Sequence, residues 1–279
     1  MTTSTSAAAI CAGFTLATLS LTAAVPAFAQ EAPVKPITVS GTAAIVSDYR
    51  FRGVSQSDKQ IALQAGATVT HESGVYAGLW GSNLAGWGTF GGANLELDLI
   101  GGYKFPVASG VALDAGLTWY MYPGGADRTD FAEPYVKVSG TLGPATALAG
   151  VAYAPRQRAL GNFSATPQSR GQKQDNLYIW TDLSGGVPST PITLRAHLGY
   201  SNGNPGLGPN GTSVAPTGEY VDWALGADYV LGRVSLGVTY IDTDIGRRES
   251  AYLLPNFAST KNGSSIAGST VVASATIAF

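Results

Sequence analysis

Only two histidines, His71 and His197, are available as bases anywhere in this chain of 279 residues. Serine hydrolysis needs a serine activated by a histidine, with a third residue orienting that base. The strand reading developed below puts His71 in a turn and aims His197 at an interior polar face, so neither can reach a lipid from outside. No G-x-S-x-G elbow accompanies them. Other motif matches lack their context. Gly206-Leu207-Gly208-Pro209-Asn210-Gly211 fits G-x-G-x-x-G, yet it lies in a Pro/Asn-rich stretch with no helix after it. Asp242-Thr243-Asp244 is a lone pair of carboxylates at a strand end, and the sequons at Asn162, Asn210 and Asn262 carry little meaning in a bacterial chain. The sequence therefore implies no catalytic residue, no metal ligand set and no cofactor.

What does recur is charge on one parity. Arg50 and Arg52, Glu96 and Asp98, and Arg195 and His197 stand two residues apart. Asp114, Glu133, Lys137, Asp182, Asp222, Asp228 and Arg233 fall on the same face of their own segments. Side chains two apart share a face of a strand. Charges gathered on one face of many strands could line a water-filled lumen and pass solutes, with acidic positions in the majority. The alternative is that they pair with one another and fill the interior.

The elements that must hold these residues read as twelve strands, at about 41–52, 59–70, 75–84, 94–105, 111–122, 131–141, 145–155, 175–185, 191–201, 220–230, 233–243 and 269–279. Alternation is clear in several. Ile61, Leu63, Ala65, Ala67 and Val69 oppose Gln64, Thr68 and Thr70; Val221, Trp223, Leu225, Ala227 and Tyr229 oppose Asp222 and Asp228. The apolar face is nearly free of charge, as a face against lipid must be, since a charge at the bilayer midplane of a barrel costs ~2–4 kcal/mol. Connections alternate between short turns (71–74, 106–110, 142–144, 186–190, 231–232) and longer links (53–58, 85–93, 123–130, 156–174, 202–219, 244–268). This is the rhythm of an outer-membrane barrel, with both termini at the periplasmic, short-turn side. Aromatics gather near strand ends, with Phe51, Trp119, Tyr200, Tyr220, Trp223 and Tyr240 toward the links and Tyr103, Phe105, Tyr229 and Phe279 toward the turns, as interfacial girdles would.

Composition agrees. Charged residues make up 12% of the chain, against roughly 25% in a typical soluble domain. A net charge of −2 gives no reason to expect a nucleic-acid partner. Ala7 to Phe28 is uncharged and rich in small residues, and it closes on Ala27-Phe28-Ala29, which reads as a signal peptide over 1–29 cut after Ala29. The only cysteine, Cys11, falls inside it, so the barrel over 30–279 has no disulfide. Within the 156–174 link, Arg156, Arg158, Arg170 and Lys173 stand without an acidic neighbour between them. They could meet lipopolysaccharide phosphates, attract anions, or simply be solvated.

Two resemblances sharpen this reading. The run from Ser269 to Phe279 resembles the terminal strand of bacterial outer-membrane barrels, whose last aromatic is part of what the insertion machinery reads. The stretches Ser47-Asp48-Tyr49-Arg50-Phe51-Arg52-Gly53-Val54-Ser55-Gln56, His71-Glu72-Ser73-Gly74-Val75-Tyr76-Ala77-Gly78-Leu79-Trp80-Gly81-Ser82-Asn83, Glu96-Leu97-Asp98-Leu99 and Tyr122-Pro123-Gly124 together resemble the TorF family of Gram-negative outer-membrane proteins, over about 41–142. That resemblance implies an all-β transmembrane antiparallel barrel acting as a passive channel for small hydrophilic solutes, with no catalytic residues to carry over. The readings set beside it are a non-conducting surface barrel whose loops bind lipopolysaccharide or a partner, an outer-membrane hydrolase, and a soluble secreted β-sandwich.

Overall fold

The computed structural model describes residues 36–86, 92–162, 170–205, 213–252, 257–259 and 261–279. The segment read as a signal peptide, with Cys11, and the Gly206–Gly211 motif lie outside them. The wall is built from β1 (Ile37–Val46), β4 (Ala62–His71), β5 (Val75–Asn83), β6 (Leu95–Ala108), β7 (Val111–Met121), β8 (Phe131–Leu142), β9 (Ala145–Gln157), β10 (Gln174–Gly186), β11 (Ile192–Asn202), β12 (Glu219–Leu231), β13 (Val234–Thr243) and β14 (Thr270–Ala278). Every neighbour pairs antiparallel, and β1 joins β14 to close the barrel. Two short helices, α1 (Arg158–Gly161) and α2 (Arg247–Tyr252), sit in links. No helix among the described residues is long and apolar enough to cross a membrane.

Closure removes the sheet edges, which is what a β-structure in lipid requires. The seam is completed by the last residue: Gly41 N–H donates to the Phe279 carbonyl at 2.9 Å, and Phe279 N–H donates back to the Gly41 carbonyl at 3.0 Å. The Phe279 ring then lies over Gly41, where an added Cβ would stand 2.5 Å from a ring carbon. A side chain at position 41 would push the terminal aromatic off the seam.

Parity runs through the wall as the alternation implies. On β12, Leu225 is 62% exposed while Asp222, three residues away, is 2% exposed. Leu63, Val238 and Val271 likewise face outward, and Glu96, Asp98, Asp114, Glu133, Asp222 and Asp228 face in; Asp175, Glu219 and Asp242, at strand ends, pair with the outward Tyr153, Tyr200 and Tyr240. A soluble sheet would reverse these fractions, because apolar surface gains by leaving water. An apolar outward face of this kind fits an outer-membrane barrel.

Eleven strands lie within a few residues of their expected positions; the first does not. It ends at Val46 rather than 52, because the chain leaves the wall at Ser47, whose Oγ accepts from the Ala273 N–H at 2.9 Å. The link expected at 53–58 in fact runs from 47 to 61 and contains a two-stranded hairpin, β2 (Arg50–Phe51) and β3 (Val54–Ser55). That hairpin is buried throughout and folds into the barrel. Two residues expected in the aromatic girdle move with this correction. Phe51 sits inside, edge-on to Tyr120 at 5.8 Å, and Tyr220 is an inward residue of β12, 3% exposed.

Parity predicts an asymmetric response to charge. Leu225→Arg, at the middle of β12 and facing out, should cost ~2–4 kcal/mol of stability in refolded vesicles. Gln64→Arg, inward on β4 and half-buried, should cost far less. Denaturant titration of both variants reads the difference, and equal losses would contradict the outward assignment.

Candidate functional site

The interior is organised by the hairpin. Its turn places Arg52 in the left-handed region at φ 49° and Gly53 at φ 79°. Gly53 fits there because a Cβ would come within 2.4 Å of Thr243 and 2.9 Å of Asp222. The strained Arg52 backbone is held by tertiary contacts: its carbonyl accepts from the Tyr220 hydroxyl at 2.9 Å. Its guanidinium donates to both carboxylate oxygens of Glu133 on β8 at 2.7 Å and to Asn176 Oδ1 on β10. It also lies 4.2 Å from the centre of the Tyr178 ring. One guanidinium nitrogen on both Glu133 oxygens, the other on Asn176 and a ring against the plane form a combination that a single ammonium nitrogen cannot copy.

Arg50 works within the plug. It donates to Asp48 at 2.6 Å and to the carbonyls of Gly53, Ile266 and Gly268 at 2.8, 3.0 and 3.1 Å. These bonds tie the hairpin to the segment that leads into β14. Tyr49 packs against Trp80, rings tilted by 60° at 5.4 Å, and donates to Glu96 on β6 at 2.9 Å. The hairpin thus touches β5, β6, β7, β8, β10, β12 and β13, most of the way around the wall.

Beyond the hairpin lies a second set of polar contacts. His197 sits between Asp182, 2.6 Å from Nδ1, and Asp222, 3.1 Å from Nε2, with the Tyr178 hydroxyl 2.9 Å from Nε2. Lys137 pairs with Asp114 at 3.1 Å, and Asp114 also accepts from the Tyr76 hydroxyl at 2.6 Å. Arg195 pairs with Asp228 through two nitrogens. Unpaired buried charge is costly, and these partners are what make a polar interior tolerable.

Ten of the residues expected to line a lumen do face inward on wall strands: Glu96, Asp98, Asp114, Glu133, Lys137, Asp182, Arg195, His197, Asp222 and Asp228. Arg50 and Arg52 are interior too, but on the hairpin rather than the wall. Arg233 is a correction: it lies exposed in the turn between β12 and β13, where its carbonyl accepts from Ala278 N–H, because the strand starts one residue later than expected. The interior is also fuller than an open lumen, since the expected charges are largely paired. Lys104, on the same parity as Glu96 and Asp98 and opposite Asp114 in the register, is an inward cation missing from the expected set although it lies within the expected 94–105 strand. Of the tyrosines that bridge charges, Tyr76 and Tyr178 carry no sequence signal beyond inward parity, and Tyr49 falls on the opposite parity to Arg50 and Arg52. Arg156, Arg170 and Lys173 are exposed, Arg158 is half-buried in α1, and Arg156 donates to the Lys173 carbonyl at 3.0 Å; residues 163–169 between them lie outside the described residues.

Truncation should expose how the hairpin is anchored. Arg52→Ala strands Glu133 in the interior and should cost ~3–5 kcal/mol. Glu133→Gln added to it should cost much less than the sum of the single changes, because the two residues are one unit. Additive losses in a urea double-mutant cycle would mean that the hairpin is held elsewhere.

The barrel is similar to solved porins. The KdgM porin, solved in complex with disordered oligogalacturonate, superposes at a TM-score of 0.51 with 6% identity, over 86% of this chain and 98% of that one. Salmonella typhi OmpF in complex with daunomycin gives 0.40 with 10% identity, over 87% and 97%. At these identities the likeness concerns the fold. No curated protein sequence matches the chain. The TorF resemblance holds as far as a porin-like barrel; the family model that matches has a different name. Its match spans residues 30–279, and the chain belongs to the family described as "Bacterial protein of unknown function (Gcw_chp)".

Proposed function

We propose that this chain is an outer-membrane channel for passive diffusion of small hydrophilic solutes, with a lumen narrowed by the β2–β3 hairpin. The observation that carries the reading is the interior itself: a closed barrel with an apolar outside holds ionisable groups on inward positions of β6, β7, β8, β10, β11 and β12. A barrel needed only as a membrane anchor has no use for so many buried charges, each of which must be satisfied. Carboxylates outnumber Lys and Arg on the inward wall, which favours cationic or neutral solutes over anions. No group in this reading performs covalent chemistry, so no enzyme activity is assigned. Export by the 1–29 signal peptide, recognition of Phe279 by the barrel-insertion machinery and both termini in the periplasm complete the proposal.

The hairpin's contacts support a constriction rather than a permanent core. Its anchors to the wall are hydrogen bonds and the Arg52–Glu133 ion pair, which can be exchanged for water. In planar bilayers, the refolded chain should give small, cation-preferring conductance steps. Replacing residues 48–57 with a short Gly/Ser link should raise the conductance several-fold and leave the cation preference. Silent membranes after verified insertion of the hairpin-deleted barrel would contradict the channel.

A second reading, a surface barrel that binds lipopolysaccharide, is favoured by the exposure of Arg156, Arg170 and Lys173 at one end of the barrel. Neutralising all three should abolish salt-sensitive lipopolysaccharide binding and leave conductance unchanged if both readings hold. Loss of conductance with the binding would join the two sites. For assembly, Phe279→Asp should cut the amount of folded barrel in the outer membrane; normal assembly would count against the terminal signal.

A further inference from the structure

Three wall carboxylates stand close together beneath the hairpin, and they are not treated alike. Glu96 accepts from the Tyr49 hydroxyl at 2.9 Å, and Tyr122 hydrogen-bonds the same group. Glu133 accepts two bonds from Arg52 and one from the Tyr120 hydroxyl at 3.1 Å. Asp98, on β6 two residues from Glu96, is 0% exposed, and neither of its oxygens has a hydrogen-bond partner. A second and independent orphan lies beside it. Thr118 on β7 is 1% exposed, and its Oγ1 has no partner either. In the register Asp98 faces Tyr120, and Thr118, two residues along β7, faces Glu133. Asp98 and Thr118 are therefore diagonal neighbours on the inner face, close enough to share one small ligand.

We propose that Asp98 and Thr118, flanked by Glu96 and Glu133, form a buried binding site for a monovalent cation under the hairpin. Charge requires something positive there. Glu96, Asp98 and Glu133 face one guanidinium, Arg52, which is already committed to Glu133 and Asn176. Surplus negative charge in a site shut off from water is unfavourable unless a proton or a counter-ion neutralises it. A proton on Asp98 is the competing way to neutralise the site. A bound cation instead uses the Asp98 oxygens and the Thr118 hydroxyl as donors together. The cation is monovalent because divalent oxygen-ligand sites rely on several convergent carboxylates, whereas here Glu96 and Glu133 already accept from Tyr49 and Arg52 and only the Asp98 oxygens are without partners. Its chemistry is that of potassium, rubidium or ammonium: low charge and loose coordination. The bound ion would stabilise the wall against which Tyr49 and Arg52 seat the hairpin. The site goes beyond the channel reading, since it is an equilibrium binding site whether or not solute flows.

Rubidium is the probe. The refolded barrel, residues 30–279 in detergent, is unfolded with urea in rubidium chloride and in N-methyl-D-glucamine chloride of equal ionic strength, which holds screening constant. The wild-type midpoint should rise with rubidium along a single-site curve. Asp98→Asn should be insensitive to rubidium, and Thr118→Val should need a higher concentration for the same rise. Crystals grown in rubidium should show an anomalous peak between Asp98 and Thr118 that is missing in Asp98→Asn. Equal wild-type midpoints in the two salts with no peak at this position would overturn the site. So would a rubidium effect that survives unchanged in Asp98→Asn. Should Asp98→Asn fail to refold, the wild-type peak and the Thr118→Val titration decide alone. Loss of this site would leave the conductance of the hairpin-deleted barrel as it stands, so the two proposals fail separately.

Discussion

A backbone in hydrocarbon has no water to bond, and every N–H and C=O must find its partner within the protein. That constraint shapes the whole molecule. It requires closure, which the β1–β14 seam and the paired Gly41–Phe279 backbone bonds provide. Closure with a period of two then sorts side chains without further instruction: one parity meets lipid and the other is enclosed. Leu225 outside and Asp222 inside stand three residues apart on one strand and face different surroundings.

Enclosure creates the second problem. Twelve inward faces hold more polar groups than an interior can leave unsatisfied, and the β2–β3 hairpin is part of the solution. It supplies the guanidinium that Glu133 needs, the hydroxyl that Glu96 accepts, and aromatic rings for Trp80 and Tyr120. In the proposed function, the same polar contacts let the hairpin set the width of the lumen. Glu96 and Glu133 belong to the wall and to the hairpin's seat at once, so what neutralises Asp98 between them bears on whether the hairpin stays.

The strand count, the closed architecture and the parity of the wall charges were legible in the sequence because all three follow from alternation. Strands such as Leu95–Ala108 and the 220–230 stretch of β12 carry a period of two with charge on one face only. The hairpin was not legible for the same reason. Asp48, Arg50 and Arg52 alternate with Tyr49 and Phe51 as a wall strand would, and period alone cannot say whether the aromatic face meets lipid or the inside of the barrel. What separates the cases is three-dimensional: Ser47 bonding across to Ala273, and a left-handed Arg52–Gly53 turn. Arg233 was misplaced by one residue of strand boundary, and Lys104 was overlooked although its parity is right. Which carboxylate would be left without a partner depends on where Tyr49, Tyr120 and Arg52 land, and no linear pattern encodes that.

Spin-label accessibility tests the partition most directly. Cys11 is the chain's single cysteine and lies within the first 29 residues, so single cysteines can be introduced one by one into the 30–279 barrel. Labels at consecutive positions from 221 to 229 on β12 should alternate, oxygen-accessible at 221, 223, 225, 227 and 229 and shielded between them. A label at position 51 should be shielded from oxygen. Accessibility without a period of two along β12, or a label at 51 open to the lipid phase, would contradict both the barrel's two-solvent wall and the hairpin's place inside it.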